Sequence, residues 1–143
     1  MPTNILVVDD HPLYRESFCA LLQTCFADLQ LVAVEDGSRA LSLTHQIAFD
    51  LLILDYQLPG ISGGDVVRYL RSRARTTARL IPPIILMSAH PDIAVFARSL
   101  GVVAFLHKPV DISEIRTVIS PILEQFSTPN PAVSLPLRPN PVR

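Results

Sequence analysis

Five short apolar runs, each stopped by a polar residue, constrain this chain more than anything else in its sequence. They fall at 5–8, 29–34, 51–54, 84–87 and 102–106. Runs this short, interrupted only by Gln30, read as parallel strands buried on both faces. Between them the apolar spacing changes to a helical one. Tyr14, Phe18, Leu21, Leu22 and Cys25 share one helical face; Ala40, Leu41, Ile47 and Ala48 suggest a second helix; Val66, Val67 and Leu70 a third. Ala94, Ala97, Arg98 and Leu100 mark a fourth, with Pro91 placed for its first turn. Ile112, Ile115, Val118, Ile119 and Ile122 mark the fifth. Strictly alternating strands and helices imply a parallel sheet covered on both faces. Right-handed crossovers leave few topologies, among them the flavodoxin-like order 2-1-3-4-5, the expected fold class here: an α/β doubly wound five-stranded sheet with five helices.

Composition is consistent with one such domain. In 143 residues, 49% are hydrophobic and 17% charged, so much of the chain must be interior. The net charge of −1 gives no reason to expect nucleic acid or an anionic membrane as a direct partner. No apolar run reaches the roughly 18 residues of a membrane helix. Met1-Pro2-Thr3-Asn4 carries no basic stretch before its apolar run, so no secretion leader is expected. Cys19 and Cys25 match neither a redox pair nor a zinc motif and read as packing residues, which suits a cytoplasmic setting. Pro121 interrupts the fifth helical pattern, and a kink or an early end near Ser120 is expected. The stretch 127–143 holds five of the 13 prolines. The domain is therefore expected over 1–126, followed by a Pro-rich disordered tail over 127–143.

In an open parallel sheet the polar site lies at the carboxyl ends of the strands. Those ends carry Asp9 and Asp10, then Asp55, then Ser88, then His107-Lys108-Pro109. Three carboxylates in one crevice repel each other unless a cation joins them. A hard cation such as Mg²⁺ suits carboxylates plus a phosphate. Lys108 adds positive charge, and it is the only lysine among 12 basic residues. A compact ammonium fits a single phosphate oxygen better than the wide guanidinium fork does. Arg68, Arg71, Arg73, Arg75 and Arg79 cluster on the third helix and the loop after it, and read as a solvated face.

These segments, taken together, resemble a response-regulator receiver domain of two-component signalling, the CheY-like superfamily. The matching stretches are Ile5-Leu6-Val7-Val8-Asp9-Asp10-His11, Asp50-Leu51-Leu52-Ile53-Leu54-Asp55-Tyr56-Gln57-Leu58-Pro59-Gly60, Leu86-Met87-Ser88-Ala89 and Gly101-Val102-Val103-Ala104-Phe105-Leu106-His107-Lys108-Pro109, in family order over roughly 4–126. The stretch from Asp9 to Arg15 is similar to receivers that precede a helix-turn-helix output domain, although no such domain follows in this sequence.

The resemblance implies roles. Asp55 would accept a phosphoryl group from a histidine kinase or a histidine phosphotransfer protein. Asp9, Asp10, an Asp55 oxygen and the backbone carbonyl of Gln57 would hold Mg²⁺, or Mn²⁺ in its place. Ser88 and Lys108 would each bond a phosphoryl oxygen. Phe105 would be a switch residue moving with Ser88, its alternative reading being an ordinary strand residue. Pro109 would follow a cis peptide bond. Gln57 and His90 would tune dephosphorylation, while His11 reads as a rim residue and Tyr14 and Tyr56 receive no role. Output would pass through the face of helix 4, strand 5 and helix 5 to an unknown protein target, as a monomer or a phosphorylation-dependent dimer. Such a chain is a switch rather than an enzyme, catalysing only its own phosphorylation and dephosphorylation. A phosphorelay intermediate is the nearest alternative. An aspartyl-phosphate phosphohydrolase fits less well, because Gln57 stands where those enzymes place a second acid.

Overall fold

The computed structural model describes residues 2–77 and 80–127. Its elements run β1 (Thr3–Val8), α1 (Pro12–Cys25), β2 (Leu29–Val34), α2 (Gly37–Gln46), β3 (Leu51–Asp55), α3 (Gly63–Thr77), β4 (Ile84–Ser88), α4 (Ile93–Leu100), β5 (Ala104–His107) and α5 (Ile112–Ser127). All five strands are parallel and ordered β2-β1-β3-β4-β5. This is the flavodoxin-like arrangement that the apolar runs imply.

Each central strand feeds two cores because its side chains alternate between faces. Leu6, Val8, Leu52, Leu54, Ile84 and Leu86 pack with Ala40, Val66, Val67, Leu70, Ile93 and Ala97, which places α2, α3 and α4 on one side. Ile5, Val7, Leu51, Ile53, Ile85 and Met87 pack with Phe18, Leu22, Ile115 and Ile119, which places α1 and α5 on the other. β1, β3 and β4 therefore need apolar side chains at successive positions. Cys19 and Cys25 are half-buried free thiols packed against the α1 and α5 side.

Register sets the site. Asp55 pairs with Met87 and Ser88 with His107, so successive strand ends form one edge. Gly63 opens α3 directly behind Asp55. A Cβ there would collide with the Asp55 carbonyl oxygen and lie 2.8 Å from Tyr56 Cα, and the Gly63 N–H donates to the Tyr56 carbonyl at 2.9 Å.

Besides one- or two-residue extensions at the ends of β1, β3, β4 and β5, four boundaries differ from the sequence reading. α2 ends at Gln46, leaving Ile47 and Ala48 outside; Ile47 is already extended while its N–H still bonds to the Leu43 carbonyl. β5 starts at Ala104 rather than at 102. Gly101 adopts a left-handed conformation, and Val102 donates to the Ala97 carbonyl, so Val102 closes α4 instead of beginning the strand. Pro91 lies in the turn before α4, which starts at Ile93 behind an N-cap at Asp92. Finally, α5 runs through Pro121 to Ser127 and does not end near Ser120. Burial of Ile115, Ile119 and Leu123 on one face outweighs the bond that proline cannot donate. Ser127 therefore belongs to the helix, and the rest of the expected tail lies outside the described residues.

Pro121 is exposed, so its replacement loses no packing. Pro121→Ala should raise stability by about 1–3 kcal/mol, the helix gain being partly offset by a freer unfolded chain. Urea denaturation monitored by circular dichroism measures it; an unchanged midpoint would show that α5 has already absorbed the proline.

Candidate functional site: an acidic crevice bridged by one lysine

Three carboxylates and one ammonium meet at the carboxyl edge of the sheet. Asp9 follows β1 and is fully buried; Asp55 ends β3 and is 3% exposed. Between them reaches Lys108, from the loop after β5. Its Nζ lies 2.7 Å from Asp9 Oδ2 and 2.8 Å from Asp55 Oδ2, with only 13% of the side chain exposed. The bridge is held by backbone on every side. The Asp55 Oδ1 accepts the Gln57 N–H at 3.0 Å, and Asp9 Oδ1 accepts the His11 N–H at 2.9 Å. The Lys108 N–H donates to the Ser88 carbonyl, and the peptide bond from Lys108 to Pro109 is cis.

Charge and burial oppose each other here. Burial pushes the Asp55 carboxyl above the ordinary carboxylate range, against the pull of the Lys108 ammonium and the Gln57 N–H. Burial also pulls Lys108 down, but its bonds to Asp55 and Asp9 and their charges more than reverse this, leaving the ammonium above the ordinary lysine value. The lysine is thus firmly cationic, and it offsets one of the three acids.

Asp10 is the acid without such a partner. Its Oδ1 is buried and makes no hydrogen bond, with His11 Nδ1 3.3 Å away. Oxygens of Asp9, Asp10 and Asp55 and a nitrogen of His11 all lie within 4.8 Å of one another. An orphaned carboxylate oxygen beside two further carboxylates is a donor set suited to a hard divalent cation. His11 itself is 71% exposed at the rim, and its nitrogen is a softer donor than such a cation favours.

Ser88 is fully buried, its Oγ accepting the His90 N–H at 3.0 Å, while the His90 ring nitrogen accepts the Asp92 N–H. Phe105, one strand away, is 40% exposed and faces outward. The buried hydroxyl and the part-exposed ring thus stand on adjacent strands, with Phe105 level with Leu86.

A comparison with protein families decides the identity. Residues 5–120 match the family model described as the response regulator receiver domain. The chain belongs to that family. Among curated relatives, the receiver is 34% identical over 123 residues to a glycerol metabolism activator of Pseudomonas putida, covering 84% of this chain and 53% of that protein. It is 32% identical over 121 residues to the sensor protein GacS of Pseudomonas syringae pv. syringae, covering 81% of this chain and 13% of that one. The chain thus spans about half the length of the first relative and a small part of the second. Among solved structures it is similar to the response regulator TrrA of Thermotoga maritima, in complex with Mg²⁺-BeF. The TM-score is 0.71 at 28% identity, covering 84% of this chain and 98% of that chain. This receiver is therefore a two-component signalling domain by family, and no helix among its described residues is long and apolar enough to cross a membrane.

Several side chains around the receiver's site carried no role in the sequence. Tyr14 places its ring beneath the Lys108 ammonium, 4.5 Å from Nζ to centroid. Arg15, next in α1, donates to the Asp9 carbonyl at 2.6 Å. Tyr56 stacks on Phe96 of α4 with centroids 4.5 Å apart, and His90 tilts against the same ring at 5.0 Å. The available signal was the position of Tyr14 and Arg15 on the first turn after Asp-Asp, pointing back over the strand ends. The arginine group scatters: Arg68 pairs with Asp65, Arg73 donates to Thr44 Oγ1, and the Arg71 guanidinium lies against Gly101. Arg79 lies outside the described residues.

Removing the bridging charge should expose its function in the fold. Lys108→Met leaves two buried carboxylates facing each other and should cost about 3 kcal/mol in divalent-free buffer. Millimolar Mg²⁺ should return more stability to this variant than to the parent, since the cation then supplies the missing charge. Urea titrations with and without Mg²⁺ test this; equal gains in both chains would count against it.

Proposed function

We propose that this receiver is a phosphorylation-activated switch whose phosphate-accepting group is Asp55. The observation that carries the reading is the Lys108 ammonium held by both Asp9 and Asp55 at the sheet edge. An Asp55 oxygen attacks the phosphorus of a phosphohistidine on a sensor kinase or phosphotransfer protein. The new O–P bond forms as the P–N bond breaks, and the imidazole nitrogen leaves with the electron pair. Lys108 then exchanges its Asp55 oxygen for a phosphoryl oxygen. Ser88, now accepting from His90, still has its hydroxyl proton to donate to a second phosphoryl oxygen.

Asp9, Asp10, Asp55 and the Gln57 carbonyl would hold Mg²⁺, or Mn²⁺, with the orphaned Asp10 oxygen as support; TrrA, a structural relative, was solved with Mg²⁺-BeF. When bound, the cation neutralises the attacking carboxylate and the incoming phosphate together. Gln57 and His90 border the acceptor and tune loss of the phosphoryl group.

Output follows from packing. As Ser88 shifts toward the phosphoryl group it vacates space, and the outward Phe105 turns in to fill it. The face of α4, β5 and α5, which exposes Val95, Phe105 and Ile112, changes with it and meets a protein target or a second copy. The work is done in the cytoplasm. A phosphorelay intermediate is a second reading, favoured by similarity to a sensor protein that contains a matching segment.

Incubation with acetyl phosphate and Mg²⁺ should add one phosphoryl group by intact mass, and Asp55→Asn should abolish the gain. Equal labelling of both chains would remove Asp55 as acceptor. Steady turnover of a phosphate ester would instead mark a hydrolase.

A further inference from the structure

A lysine side chain is a flexible four-carbon stem with three donors at its tip. In this site the ammonium donates to Asp55 and pairs with Asp9 at 2.7 Å, and the oxygens of both are also the groups that phosphorylation and cation binding engage. The contacts that hold Lys108 are therefore the ones it must release. A contact that neither step needs to break is the Tyr14 ring, 4.5 Å below the ammonium. An aromatic face attracts a cation through its quadrupole, more strongly where water is excluded, and this side chain is 13% exposed.

Tyr14 is itself fixed at both ends. Its ring stacks on Phe18, one helical turn along α1, with centroids 6.1 Å apart and planes 13° from parallel. Its hydroxyl accepts the Val110 N–H at 3.3 Å and lies 3.9 Å from Met87 Sδ. Val110 stands two residues after Lys108, so one tyrosine grips both the lysine's tip and the loop that carries it. Arg15, the next residue, ties α1 to the Asp9 carbonyl, which fixes the ring relative to the acids.

We propose that Tyr14 is a positioning residue for Lys108, its ring keeping the ammonium over the acceptor while that ammonium passes from carboxylate to phosphoryl oxygen. Because Lys108 is the single lysine of the chain, the side chain can be watched alone. This inference rests on the reading that Lys108 meets the phosphoryl group.

The experiment uses the chain labelled with ¹³C,¹⁵N-lysine, as the parent and as Tyr14→Phe and Tyr14→Met. In the parent, the Lys108 ε-methylene protons should be displaced upfield by the ring. Tyr14→Phe should keep the displacement and label with acetyl phosphate within about threefold of the parent rate. Tyr14→Met should lose the displacement and label about tenfold more slowly, the scale of a desolvated cation–π contact. A parent spectrum with no upfield displacement overturns the proposal whatever the variants do, including failure of Tyr14→Met to fold. Equal slowing in Tyr14→Phe and Tyr14→Met overturns it too, because loss of the hydroxyl would then be the cause. If the parent shows the displacement but takes no label on Asp55, the acceptor reading fails while the Tyr14–Lys108 contact stands.

Discussion

The bridge from Lys108 to Asp9 and Asp55 joins the loop after β5 to the ends of β1 and β3. Two carboxylates buried side by side would repel each other strongly, and one of them would have to be protonated. The ammonium removes that need, but only if three strand ends arrive at the same height. The parallel registers of β1 with β3, β3 with β4, and β4 with β5 provide this. Buried ion pairs contribute little net stability and are costly when half-broken. The bridge is thus better understood as a stored imbalance: one positive charge among three acids, with Asp10 still unsatisfied. A fold that keeps this imbalance at one edge is ready for a ligand that corrects it.

Much of this was legible in the sequence, for a physical reason. Central parallel strands must be apolar on both faces, so Ile5 to Val8 and Leu51 to Leu54 stand out without any alignment. The polar residue that ends each run is then at the sheet edge by geometry alone. That logic located Asp9, Asp55, Ser88 and Lys108. It located less well whatever depends on how elements close. The true start of β5 hinges on Gly101 taking a left-handed turn, which diverts Val102 into capping α4. The continuation of α5 past Pro121 depends on Ile119 and Leu123 being buried together, a tertiary gain that local propensity does not contain. Tyr14 was unassigned because its partners, Lys108 and Val110, are 94 and 96 residues away in the chain.

The aromatic group on the other side of Asp55 completes the wall of the crevice. Tyr56 follows Asp55 directly and lies flat on Phe96, which His90 also touches. These three rings link the loop after β3 to the turn after β4 and to α4. Stacked aromatic rings are favourable contacts in their own right. A displacement of Ser88 would pull on His90 through the bond between them, and His90 leans on the same ring.

Gly63 gives this arrangement a direction. With no room for even one carbon between α3 and the Asp55 carbonyl, that helix abuts the backbone of the acid as an anvil abuts the work. Asp55 meets a stop on the α3 side. On the α4 side it meets a short helix, reached through one serine hydroxyl and a stack of rings. The surroundings of Asp55 are lopsided, with backbone packed without clearance behind it and a short helix with stacked rings in front, so a shift at that carboxylate would have more room toward α4 than toward α3.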